Sequence, residues 1–494
     1  MQALLHRPRG HRPARSPCPH PHLMSPQPHT TVRQRMSVLD EAWLRLDAAG
    51  SPRIIVALLR FDGRFNRRRF EQVLREHLLA HDRFRQRPEL GAAGAFWCEH
   101  RGFALRHHLD VTSLPASHRK QALERTVQRL LHAPLAEGRP LWHLQVLDGD
   151  DRRGSPGWSL VARIHHCLGD GLSLVSLLAE LGQATEARPS SSKPAADTPM
   201  ALLEQVLESA DPARWLDLLR SGRFEELWRR RLDALEPLWT ALRSEVQHLI
   251  TARRETPTRL RGPAGLRKQA RTAPPFDAAA IRRAAQAWGC TSNELMLAAL
   301  AGALREHLLA QGDSVDDAEI RVLVPASLRR PGESVGLGNR FGMLALMLPI
   351  GIAHPLSRVV EVQRRMRTLK RSMQPTLSVA GLWLLARVPS AVRSLLDPLL
   401  ELRASAVVSH VPGPRQPLQV AGATLREATF WVVPAGDIAL AVSILGYAGR
   451  LHLGLVTDRT LISDARALVA ALVGQVHWLV EAAPTGRNAD AQPA

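Results

Sequence analysis

Residues Trp158–Leu181 read WSLVARIHHCLGDGLSLVSLLAEL. The apolar run up to Ile164 suits a strand, and the stretch after Gly171 has a helical apolar pattern. Between them lies the polar knot His165-His166-Cys167-Leu168-Gly169-Asp170-Gly171. Neighbouring residues of an extended chain face opposite sides, so one histidine of the pair is expected to reach a reacting atom. A neutral imidazole can take a proton from an alcohol or amine as it attacks an acyl carbon, and can return it to the leaving group. Asp170 stands where a helix N-cap belongs and could equally pair with an arginine. Gly169 and Gly171 permit a tight turn and close backbone approach. An isolated double histidine is more often a surface or satisfied core pair. Metal binding would draw its ligands from one loop without a second cluster, and no feature marks Cys167 as an activated nucleophile.

The chain has 494 residues, too many for one ordinary core, so two domains are expected. Its formal charge is +19, carried almost wholly by arginine, because lysine occurs only at positions 120, 193, 268 and 370. Such a surface attracts phosphate-bearing ligands or anionic lipid headgroups. Nucleic acid is not expected as a partner: Tyr447 is the only tyrosine, which leaves little for base stacking, and no finger or recognition-helix signature occurs. Cys18, Cys98, Cys167 and Cys290 are isolated and suggest a reducing cytoplasm. The apolar stretches Gly342–Ala353 and Val379–Leu400 are too short or are interrupted by Arg387, Pro389 and Arg393, so membrane contact is expected to be peripheral.

In chain order, residues 1–35 hold six Arg, five His, seven Pro and no acid, and are expected to be a disordered arm or an extension upstream of a true start at Met36. Residues 36–187 alternate helices and strands: a short helix with Asp40 near its start, a strand over Arg53–Phe61, a helix over Phe65–Arg85 ended by Pro88, a helix over Pro115–Leu131, and a strand from Trp142. Residues 188–276 form a linker with long amphipathic helices over 201–253 and a Pro- and Arg-rich crossing. Residues 277–482 repeat the α/β pattern, closing with a helix over Ala465–Glu481, and 483–494 are a disordered tail. Two α/β halves of similar size imply a cleft between them, a favoured place for ligands.

His165-His166-x-x-x-Asp170-Gly171 resembles the HHxxxDG motif of the CoA-dependent acyltransferases. The chain is most similar to the bacterial wax ester synthase/diacylglycerol acyltransferase family. The similarity includes Met36-Ser37-x-x-Asp40-x-x-Trp43-Leu44, Pro140-Leu141-Trp142, Arg261-Gly262-Pro263, Thr291-Ser292-Asn293-Glu294, Val324–Arg329, Gly338-Asn339-Arg340, Ser409–Pro414, and the segment around Asp458 and Asp464. These blocks occur in order over about Met36 to Val480. Departures are Glu294 for Asp, His410 for Asn, and Arg261 for the Asn before Gly262. His410 would alter the floor of the site or add a second titrating group.

The resemblance implies an α/β fold of two chloramphenicol-acetyltransferase-like domains, mixed sheets flanked by helices, with an active-site tunnel between them. It implies His166 as general base, His165 as its supporting neighbour, Asp170 as a loop clamp through an Arg salt bridge, and Gly171 as the turn residue. Pro140, Leu141, Trp142, Asn293 and His410 would line the tunnel. It further implies transfer of a fatty acyl group from acyl-CoA, a co-substrate with no separate cofactor or metal, to diacylglycerol or a long-chain alcohol, without an acyl-enzyme. Association with the inner membrane face or lipid bodies would be peripheral. Two alternatives stay open: a free-standing condensation-type domain using carrier-protein substrates, and a weakly active lipid-binding or lipid-body protein.

Overall fold

The computed structural model describes residues 33–47, 53–91, 94–152, 154–182, 255–263, 265, 267–330, 332–387, 404–434 and 438–484. The arm over 1–32, the amphipathic helices expected over 201–253, and the tail beyond 484 lie outside the described residues.

Two mixed sheets carry the fold. The first contains β2 (Ile54–Asp62), β5 (Leu109–Ser113), β6 (Trp142–Asp148) and β7 (Gly157–His165), and β7 lies between β2 and β6. Both neighbours pair with it antiparallel. Strand β7 is buried at eight of its nine positions, which is why its sequence is a run of apolar residues without strict alternation. The second sheet runs β11 (Phe341–Pro349), β10 (Glu319–Ser327), β12 (Ala406–Val411), β15 (Leu440–Tyr447), β16 (Arg450–Asp458), β8 (Lys268–Thr272), with β9 (Phe276–Asp277) also on β16. A small third sheet joins β1 (Arg33–Arg35), β4 (Gly94–Glu99) and β3 (Gln86–Gly91).

The expected domain ranges do not partition these sheets. Strands β13 (Gln419–Val420) and β14 (Ala423–Val432), from the second half of the chain, complete the first sheet, with β14 antiparallel to β2 from Thr424 to Val432 across one register shift. The second sheet begins inside the expected linker, because Lys268–Thr272 pairs with β16 and the buried Lys268 ammonium lies 2.7 Å from the buried Asp458 carboxylate. Arg33–Arg35, expected in a disordered arm, pairs with Cys98–Phe96. The single helix expected over Phe65–Arg85 is shorter: α2 (Arg67–Val73) passes into a π-turn at Leu74–Leu78, and Pro88 lies in β3. That strand is a sheet edge, where the missing proline N–H costs no ladder bond.

Several helices begin at side-chain caps. Ser37 caps α1 (Val38–Arg45), Asp170 caps α4 (Gly171–Leu181) and Asp277 caps α5 (Ala278–Ala287), whereas α3 (Arg119–His132) starts without a side-chain cap. Thr291 and Glu294 form a reciprocal capping box on α6 (Ser292–Ala310). Helices α7 (Pro355–Lys370) and α8 (Gln374–Arg387) pack on β11, and α9 (Ala465–Glu481) packs on α6.

One departure from regular pairing positions the site. Strands β10 and β12 are parallel neighbours only at Val322–Ala406 and Leu323–Val407, and then diverge. A cavity of about 480 Å³ opens there, lined by β10 residues Leu323, Pro325 and Ser327, by β12 residues Val407, Ser409 and His410, and by the end of the first sheet.

Candidate active site

His165 ends β7, and neighbouring chain segments hold the backbone at this point from both sides. The His165 N–H donates to Leu141 O (3.0 Å) and the His166 N–H to Arg53 O (2.7 Å). The chain turns through one 3-10 turn at His166–Leu168 before Asp170 starts α4. Consecutive histidines thus leave the sheet on different faces, as strand geometry requires.

The His165 ring is buried and turned back on the protein: its Nδ1 accepts from Cys167 N (3.1 Å), and its Nε2 lies 3.4 Å from Asp47 Oδ2. His166 lines the cavity. Its Nδ1 is 3.1 Å from Asn339 Oδ1, and the Asn339 Nδ2 donates to both Asp40 Oδ1 and His166 O, each at 2.7 Å. Those two acceptors fix the amide orientation, so Asn339 presents its oxygen to the imidazole and Nδ1 carries the proton. The unprotonated nitrogen is therefore Nε2. Trp43 stacks on the ring at 4.3 Å between centroids, and Phe341 lies tilted at 5.6 Å. Burial pushes the His166 pKa down to about 4, so the imidazole is neutral at ordinary pH. Asp40, which anchors Asn339, is itself fully buried, 3.1 Å from Arg83 Nη1; burial outweighs that pairing and raises its carboxyl above the ordinary value.

Both carboxylate oxygens of Asp170 are engaged in fastening the loop. Its Oδ1 accepts from the Ser173 N–H (2.9 Å), and its Oδ2 accepts from Arg329 Nη1 (2.7 Å) and the Arg340 N–H (2.9 Å). The Ser173 hydroxyl donates to Gly338 O (2.8 Å) and accepts from Arg329 Nη2 (3.0 Å). The loop joining β10 to β11 is thereby fastened to the start of α4, which delivers Asn339 to His166. Gly171 is required by packing: a Cβ there would stand 2.7 Å from Val411 Cγ2.

The other sequence-derived candidates separate. His410 lines the cavity, and burial lowers its pKa. Trp142 lines a second, apolar cavity of about 110 Å³ between the first sheet and α4, which shares Ile55, Gly171, Val411 and Phe430 with the larger one. Pro140 and Leu141, expected as tunnel wall, line neither cavity; Leu141 serves through its carbonyl at His165. Asn293, expected on the second wall, also lines neither. It sits in the first turn of α6 beside Glu294, whose carboxylate caps Thr291 N and pairs with Lys370. Matched sequence blocks give order along the chain and not the direction in which a side chain faces. Sequence reasoning missed Asn339, Asp40 and Arg329 as site residues, although each falls inside a matched block.

Two comparisons of structure define the class. The fold is similar to that of a wax ester synthase/diacylglycerol acyltransferase from Marinobacter aquaeolei VT8 (TM-score 0.61, 18% identity, covering 90% of this chain and 98% of that one). It is also similar to the first condensation domain of the calcium-dependent antibiotic synthetase (TM-score 0.58, 17% identity, 92% and 96% covered). The architecture is thus that of the chloramphenicol-acetyltransferase-like proteins. Sequence comparison is more specific: residues 36–296 match the wax ester synthase/diacylglycerol acyltransferase catalytic domain and residues 337–478 the WS/DGAT C-terminal domain. The chain belongs to the wax ester synthase/diacylglycerol acyltransferase family, and by that membership it is an acyltransferase. A probable diacylglycerol O-acyltransferase of Mycobacterium tuberculosis is 26% identical over 419 residues, covering 81% of this chain and 84% of that one.

Proposed function

We propose that the protein transfers a fatty acyl group from acyl-CoA to the hydroxyl of diacylglycerol or a long-chain alcohol, with His166 as general base. The observation that carries this reading is the held tautomer of His166: Nδ1 is committed to Asn339, and a neutral Nε2 remains on a residue that lines a cavity. An alcohol cannot ionise unaided near neutral pH, so a base must take its proton as the oxygen attacks the thioester carbon. The new C–O bond forms, the C–S bond breaks, and the imidazolium returns the proton to the departing thiolate. No acyl-enzyme is needed, because a cavity that holds both reactants supplies much of the rate advantage. The imidazolium formed in passing is supported by the Asn339 oxygen, itself polarised through the amide contact with Asp40.

His165 supports the loop and Asp170 clamps it. CoA phosphates suit the arginine-rich surface. No helix among the described residues is long and apolar enough to cross a membrane, which suits an enzyme meeting its lipid substrates peripherally at a membrane or lipid-body surface, with acyl-CoA as co-substrate and no further cofactor. Purified protein given oleoyl-CoA and either dioleoylglycerol or hexadecanol is expected to release free CoA in an acceptor-dependent way. Release that does not depend on either alcohol would exclude the assignment.

A further inference from the structure

Eight polar or charged side chains line the larger cavity. Five are occupied by the protein itself. Arg53 Nε donates to Leu46 O, and Asp170 pairs with Arg329. Ser327 Oγ accepts from Arg329 N, while Ser378 accepts from Met343 N and donates to Pro375 O. His166 is held at one nitrogen and free at the other, as its role requires. Ser409 and His410 remain, and among the described residues neither side chain has a hydrogen-bond partner. β12 stays paired with β15 through Val411, so the two side chains point to opposite faces of the sheet, and the cavity reaches both because β12 is unpaired on its β10 side beyond Val407.

An imidazole that lines a largely apolar cavity without a protein partner is free to hydrogen-bond a ligand there. Burial keeps the His410 ring neutral, so it offers one N–H donor and one acceptor nitrogen. The two acceptor classes differ in what they bring. A long-chain alcohol carries a single oxygen, which belongs at His166. A diacylglycerol carries that hydroxyl and two ester carbonyls a few bonds away. The rings against His166 are Trp43 and Phe341, and His410 stands apart from them on the wall supplied by the second sheet. His166 and His410 line one cavity, so a ligand whose hydroxyl is at His166 can offer further oxygens to His410.

We propose that His410, with Ser409 beside it, reads the acceptor: its ring N–H donates to an ester carbonyl of a glyceride whose free hydroxyl is at His166, favouring diacylglycerol over a plain alcohol. The inference rests on the acyltransferase reading above. A site built around such a donor discriminates against a substrate that leaves it unpaired.

The test is free-CoA release from oleoyl-CoA, with kcat/KM measured for dioleoylglycerol and for hexadecanol in the parent, His410→Leu and His410→Asn proteins. Removing the donor should lower the dioleoylglycerol-to-hexadecanol ratio about tenfold in His410→Leu, the effect of about one neutral hydrogen bond. The hexadecanol rate should persist and report an intact fold. His410→Asn keeps an N–H donor and should hold the ratio within about threefold of the parent, by the same scale. An unchanged ratio in His410→Leu overturns the inference. So does an equal fall with both acceptors in His410→Leu and recovery of both in His410→Asn, which would place His410 at the thioester oxyanion instead. A parent protein whose CoA release depends on neither alcohol would overturn the acyltransferase reading itself, a distinguishable result.

Discussion

At the β7–α4 turn the polar side chains are engaged by other parts of the protein: Asp170 by Ser173, Arg329 and Arg340, His165 by Cys167, and His166 by Asn339. On the β12 wall, Ser409 and His410 meet no protein partner among the described residues. A turn that must hold one nitrogen at a reacting oxygen gains from being over-determined, since small misplacements are costly to rate. A wall that must recognise a ligand gains from polar groups left for that ligand. The first wall is also the one most nearly written in contiguous sequence, whereas the second is assembled from a strand splay.

That contrast can be broken experimentally, and His166→Ala should have the largest effect. It removes the base and should lower kcat by roughly 10²- to 10⁴-fold, measured as CoA release with saturating acceptor. Asp170→Ala should act on stability: it leaves the buried Arg329 guanidinium, whose side chain is 6% exposed, without its carboxylate. The cost expected from a broken buried pair is about 3–5 kcal/mol, to be read from urea denaturation. Asn339→Leu frees the His166 tautomer and should slow turnover roughly 10- to 100-fold, with substrate binding less affected. Gly171→Ala places a methyl against Val411 and should cost about 1–3 kcal/mol of stability. Most of that loss should return in the double variant with Val411→Ala, and strict additivity of the two would show that the contact is not the cause.

The pH dependence sharpens the same comparison. His166 has a folded-state pKa lowered to about 4, below its unfolded value, so the base stays neutral and competent well into acid. The acid limb of kcat/KM against pH should therefore fall near pH 4 and not near 6.5. By linkage, the unfolded chain takes up this proton near pH 6.5 and the folded chain only near 4. The stabilisation from a neutral His166 is therefore complete above about pH 6.5 and is lost progressively as pH falls towards 4. The His166→Ala protein should lose less stability than the parent over that interval.

Much of the first wall was legible because its information is local. A buried strand, a turn with two glycines and an N-capping Asp all lie within 24 residues. The partners of that turn were not legible. Asn339 lies 173 residues from His166 and 299 from Asp40, and nothing in local composition indicates that a β10–β11 loop crosses to the other sheet. Strand β14 escaped for a different reason. Its register shifts between Leu425 and Glu427, so Arg426 interrupts the alternation that would have marked a half-buried strand. Even a correct strand assignment would not have shown that it pairs with β2. Asn293 and Pro140 were misplaced because a matched block reports neighbourhood along the chain, while the cavity is defined by side-chain direction at the place where β10 and β12 diverge.

In the proposed reaction His166 Nε2 deprotonates the acceptor alcohol. The decisive measurement is single-turnover release of CoA from oleoyl-CoA with dioleoylglycerol, compared in the parent and His166→Ala proteins at a temperature where circular dichroism shows both to be folded. A fall of at least about 100-fold is expected in His166→Ala. Equal release in the two proteins would contradict it.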